Sequence, residues 1–183
     1  MKKSIVYMVA LLPMIWLGSC KDADTPAEEH NEQAFNNTDM ERDADFVMKA
    51  ATASMAEIEL GNLAMANGAL PEVKQFGQTM VTDHTAANEE LRAAAQPKNI
   101  ALPVAPTDAQ LKKAEELRGK TGADFDKDYI DLMVKDHKDV IDAFEKEAEK
   151  GNDPDLKTWA GAKLPALRHH LQMAEELQQR LKK

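Results

Sequence analysis

Apolar residues recur at spacings of three and four along most of the chain, the period of a helix that buries one face. Phe46, Ala50, Ala53, Leu60 and Ala64 form the first stripe, which predicts a helix from about Asp43 to Asn67. Gly68 reads as its C-terminal cap. Pro71 opens a second helix at its first turn, where a missing N–H does no harm. That helix reaches about Gln96, with Val73, Met80, Ala87, Leu91 and Ala94 inward. Pro97, Pro103 and Pro106 mark a crossing loop, and Thr107 with Gln110 forms a capping box for a short helix to about Arg118. A third long helix spans about Ala123 to Lys150, with Phe125, Tyr129, Met133, Val140 and Phe144 inward. Asp153 caps the fourth, Pro154 fills its first position, and Leu156, Ala160, Leu167, Ala174, Leu177 and Leu181 make its stripe. Pro165 predicts a kink there, because its ring crowds the carbonyl of Gly161. No segment keeps strand alternation for a useful length. Four long helices, two short connections and one longer crossing predict an all-α, antiparallel four-helix bundle, with a short extra helix between helices two and three.

The start of the chain changes the picture of where this bundle resides. Lys2 and Lys3 precede a short apolar run from Ile5 to Leu17, which has the form of an export signal and falls short of a membrane span. Leu17-Gly18-Ser19-Cys20 resembles a bacterial lipobox, which makes residues 1–19 a lipoprotein signal peptide and Cys20 the lipidated residue. Cys20 is the single cysteine, so no intrachain disulfide forms. Residues 20–42 are acidic and poor in large apolar side chains, and predict a disordered tether. Residues 43–183 then form the folded domain. The expected location is the envelope of a Gram-negative bacterium, lipid-anchored at the outer membrane and facing the periplasm or the surface. Lys21-Asp22 is similar to the charged signals that direct some lipoproteins outward. The net charge of −9 over the whole chain becomes more negative once Lys2 and Lys3 are removed, and such a surface repels nucleic acid and anionic lipid.

Histidine is scarce, with five in the chain, and its placement carries the chemical interest. Met-Val-x-Asp-His occurs at Met80–His84 and again at Met133–His137, with Phe76 and Tyr129 in matching places upstream. On the predicted stripes, Glu57 falls between Ala53 and Leu60, His84 between Met80 and Ala87, His137 between Met133 and Val140, and His170 between Leu167 and Ala174. Each lies near the middle of its helix, so an antiparallel bundle brings one carboxylate and three imidazoles to one level. Such a layer has three readings. It binds one transition metal ion, with zinc, copper or iron suited to imidazole and carboxylate. It forms a buried hydrogen-bonded network that fixes helix register. Or it is a pH switch, because facing imidazoles resist joint protonation. Asp83 and Asp136 project roughly 100° away from the histidines they precede, which assigns them to caps, surface pairs or support of the ligands. His169 falls off the stripe, and the methionines read as core filler.

Glu57-Ile58-Glu59-Leu60-Gly61, Met80-Val81-Thr82-Asp83-His84, Phe125-Asp126-Lys127-Asp128-Tyr129, Asp136-His137, and Leu164-Pro165 followed by His170 together resemble domain of unknown function family 4142. The resemblance covers about residues 43–180. It implies an exported bacterial protein with a ferritin-like helical bundle, and it implies no particular activity. The ferritin-like di-iron site needs Glu-x-x-His pairs, but Val81, Val134 and Leu167 stand three residues before the histidines here. Iron storage and di-iron oxidation are therefore disfavoured, while a mononuclear site stays open. There is no phosphate loop, serine elbow or CxxC motif. The sequence thus favours a lipid-anchored envelope protein with a non-enzymatic binding or structural module, for stress tolerance or metal handling. The alternative is a mononuclear metalloprotein built on Glu57, His84, His137 and His170.

Overall fold

The computed structural model describes residues 25–182. The expected signal peptide and the lipidation site at Cys20 lie outside them. The described residues are all-helical: α1 (Pro26–Phe35), α2 (Glu41–Asn67), α3 (Pro71–Ala95), a 3₁₀ turn (Gln96–Lys98), α4 (Asp108–Arg118), α5 (Gly122–Lys150) and α6 (Pro154–Leu181). The expected start signals operate at α4 and α6. Thr107 and Gln110 cap each other reciprocally, and the Asp153 side chain accepts from the N–H groups of Asp155 and Leu156. Helix α6 runs unbroken through Pro165.

The disordered tether expected over residues 20–42 is corrected from residue 26 onward, where α1 forms. Its apolar content is indeed low, and polar bonds hold it instead. Thr25 and Glu28 form a capping box. The buried Asn31 carboxamide then clasps Ala101 of the crossing loop, donating to its C=O at 2.9 Å and accepting from its N–H at 2.8 Å. A hydrophobic-pattern reading is blind to such a tie, because the partner is far away in sequence.

Helix α2 packs chiefly on α3, and α5 chiefly on α6; the two pairs meet along α2–α5 and α3–α6. Gly61 and Gly77 allow the first pair its close approach, since a Cβ on Gly77 would stand 2.7 Å from the Gly61 carbonyl oxygen. The pairs also cap each other. Asp43 of α2 accepts from the N–H groups of Asn152 (2.9 Å) and Asp153 (2.7 Å) in the α5–α6 connection. Asp126 of α5 accepts from those of Ala69 and Leu70 in the α2–α3 connection, both at 2.9 Å. Both aspartates are fully buried, and each satisfies donors that a helix start would otherwise leave unpaired.

The apolar interior falls into two parts. One gathers Leu60, Phe76, Met80, Tyr129, Met133 and Leu177 among others. The second gathers Phe46, Leu91, Phe144, Leu156 and Leu167. On every long helix the first cluster lies on one side of the ionisable residue and the second on the other. Glu57, His84, His137 and His170 occupy the gap.

Candidate metal centre

Each long helix delivers one group to this gap. Glu57 comes from α2, His84 from α3, His137 from α5 and His170 from α6, and none is more than 4 % exposed. The ring centroids of the histidines lie 5.5 to 6.0 Å apart. One ring nitrogen from each comes within 4.8 Å of the others. Glu57 stands beside them, with Oε2 3.1 Å from Nε2 of His84 and Oε1 3.4 Å from Nδ1 of His137. All four residues singled out on the stripes are brought together.

The two nitrogens of each imidazole have different surroundings. One is held: Nδ1 of His84 by the Ser54 hydroxyl at 3.4 Å, Nδ1 of His137 by the Met133 carbonyl oxygen at 3.0 Å, and Nε2 of His170 by Asp83 Oδ2 at 2.9 Å. The remaining nitrogens, Nε2 of His84, Nε2 of His137 and Nδ1 of His170, are buried with no hydrogen-bond partner, as are both oxygens of Glu57. Although Nε2 of His84 is near Glu57, the two are not aligned for a hydrogen bond. A carbonyl and a carboxylate can only accept. They therefore fix the N–H on the outer nitrogen of His137 and His170 and leave a lone pair on the inner one. This is how metal-binding histidines are oriented by a second ring of partners.

Burial of so many polar atoms without partners costs roughly 1–3 kcal/mol each, a cost that a ligand bound in common would relieve. A cation would satisfy the inner nitrogens and the carboxylate at once, with the lone pair of His84 facing inward when the Ser54 hydroxyl accepts from its Nδ1–H. The donor set suits zinc, copper, iron or nickel better than calcium or magnesium.

Protonation agrees with ligand character. Burial pushes the His84 and His170 rings below the ordinary imidazole range, His170 to about 4, against the opposing pull of Glu57 on His84 and Asp83 on His170. Both are neutral at pH 7, the form that binds metal. The folded pKa values lie below those of the unfolded chain, so the unfolded state binds protons first as pH falls. The stability concerned is present above about pH 6.5 and is lost on acidification towards about 4. For His170 the full effect is on the order of 3 kcal/mol. Melting temperatures of the metal-free chain are expected to fall across this window, and His170→Gln is expected to flatten the fall. An unchanged profile in that variant would place the acid sensitivity elsewhere.

Three residues at the site were not singled out as site residues on the stripes, or were left open. Ser54 stands one turn before Glu57 on α2, and its position among alanines was the available signal. Asp83 belongs to the supporting role among those open to it, through His170. Tyr129 carries a buried hydroxyl with no partner, and burial and the Glu57 charge raise its pKa above the ordinary range. The second aspartate of the doubled motif, Asp136, instead pairs with Lys113 of α4 at 3.2 Å.

Comparison with known proteins adds the family and the fold. The structure is similar to the crystal structure of a conserved hypothetical protein, rv2844, from Mycobacterium tuberculosis, with a TM-score of 0.62 and 16% identity over 77% of this chain and 93% of that one. At that identity the likeness concerns the fold alone. No curated protein matches the chain. Residues 26–177 match the family described as Domain of unknown function (DUF4142). The chain, with its two interlocked helix pairs and the polar layer between its two apolar clusters, belongs to the DUF4142 family.

Proposed function

We propose that the protein binds one transition metal ion in the middle of its bundle, with His84, His137 and His170 as ligands and Glu57 as the fourth. Three imidazole nitrogens buried without partners, each on a ring held from its other side, carry this reading. Metal handling is then its duty, in preference to general stress tolerance. The scaffold is read as an antiparallel, ferritin-like four-helix bundle, which the short connections Gly68–Leu70 and Gly151–Asp153 support. It does not carry the Glu-x-x-His pairs of di-iron proteins, so the centre is mononuclear. Metal analysis of the chain purified without a histidine tag tests the reading. About one equivalent of zinc, copper or iron per chain is expected, retained through dialysis. No stoichiometric metal, and no thermal stabilisation on adding these ions, would contradict it.

The bundle is further read as tethered in the cell envelope by lipid on Cys20. Among the described residues no helix is long and apolar enough to cross a membrane, and the support is the lipobox-like Leu17-Gly18-Ser19-Cys20. Cys20→Ser is expected to move the protein from the membrane fraction to the soluble one; retention in the membrane would refute the lipid tether.

A further inference from the structure

The polar layer is not enclosed by apolar core on every side. A cavity of about 290 Å³ borders the layer, with Glu57, His84 and His170 forming part of its wall. His137 takes no part in that wall and closes the layer from the far side, fully buried. Much of the remaining wall is small and apolar: Ala53, Ala87 and Ala166 come from α2, α3 and α6. A leucine at any of these helical positions would cost almost nothing in helix propensity and would take up the space. The charges in the wall are also informative. Glu57 and Asp83 are acidic, while Lys163, the cation among the lining residues, is engaged by Glu90 at 2.5 Å. Glu57 and Asp83 together offset the two charges of a bound divalent ion, so an anion entering here finds no net positive charge to draw it in, and a neutral molecule is at no disadvantage.

We propose that this cavity admits a small neutral molecule with an apolar body and one nitrogen or oxygen donor, which adds to the coordination of the metal held by the three histidines and Glu57. The proposal rests on the metal-binding reading above. A donor from outside adds a fifth position to the three imidazoles and Glu57, as in zinc sites that expand from four to five ligands. The alanine walls cover the apolar body, and burial of that body adds to affinity in proportion to its area.

Cobalt(II) supplies a test, because its visible absorption bands respond to a change of ligands. The cobalt-loaded protein is titrated with imidazole, with 4-phenylimidazole and with azide. Both imidazoles are expected to shift the bands, the phenyl compound binding about tenfold or more tightly than imidazole, and azide binding most weakly. Ala87→Leu and Ala166→Leu are expected to keep one cobalt per chain and lose the preference for the phenyl compound. Ala166 is exposed, so its substitution keeps the fold even where Ala87→Leu does not. Cobalt binding with no response to any of the three, equal affinity for both imidazoles, tighter binding of azide, or a phenyl preference that survives both substitutions would each overturn the cavity ligand while leaving the metal centre standing. Failure to bind cobalt at all would overturn the metal centre and this proposal with it.

Discussion

His137→Leu is expected to weaken metal binding roughly a hundredfold while leaving the metal-free bundle as stable as before, or more so. The two effects have different origins. Structural metal sites supply on the order of 12 kcal/mol, so one ligand of four carries about 3 kcal/mol, or roughly a hundredfold in affinity. In the metal-free chain the same side chain is a burden: it is fully buried and its Nε2 has no partner. Leucine removes that unpaired nitrogen and fills most of the space with apolar atoms, an exchange that is often neutral or stabilising. Metal content and melting temperature, measured with and without metal, separate the readings. An unchanged metal affinity would remove His137 from the centre. A large loss of stability in the metal-free variant would favour a buried hydrogen-bonded network. Asp83→Asn supplies a graded comparison, because it weakens the support of His170 without deleting a ligand; about a tenfold loss of affinity is expected.

Asp126→Ala is expected to cost about 3 kcal/mol of stability, without touching the metal layer. The Asp126 carboxylate is fully buried and accepts from two backbone N–H groups that open α3. Bonds to a charged acceptor are worth more than neutral ones, and the variant leaves their donors unpaired. Asp43 does the same for the α5–α6 connection, but its removal is expected to cost less. There Glu147 lies buried beside it, and burial together with the Asp43 charge raises the Glu147 carboxyl to about 7. Losing Asp43 relieves that strain. Urea unfolding at pH 7 checks both; a loss below about 1 kcal/mol for Asp126→Ala would show that water replaces the carboxylate at those donors.

The four long helices were legible because apolar periodicity and caps depend on neighbours in sequence. The polar layer was legible for the same reason, each member lying one turn from apolar residues on its own stripe. What escaped depends on contacts between distant segments. Helix α1 is held by Asn31 on Ala101, and residues 20–42 show no stripe to announce it. The doubled Met-Val-x-Asp-His also misled in part. It brings His84 and His137 to the same layer, yet Asp83 supports the third histidine and Asp136 pairs with Lys113. A quieter echo records the architecture better. Asp43, Gly68 and Pro71 recur at the same spacing as Asp126, Gly151 and Pro154, and each aspartate caps the connection of the other helix pair. That echo was present in the sequence, but the reciprocal exchange becomes visible only when the pairs are docked. Ser54 went unread because a small polar residue among alanines is ordinary on any helix.

Three imidazoles are proposed to converge on one ion. X-ray absorption of the zinc-loaded protein counts them directly. The expected result is three imidazole nitrogens and one carboxylate oxygen at about 2.0–2.2 Å from a single zinc, with one imidazole fewer in His137→Leu wherever enough metal can still be loaded. A spectrum with fewer than three imidazoles, or one that His137→Leu leaves unchanged, would contradict that convergence.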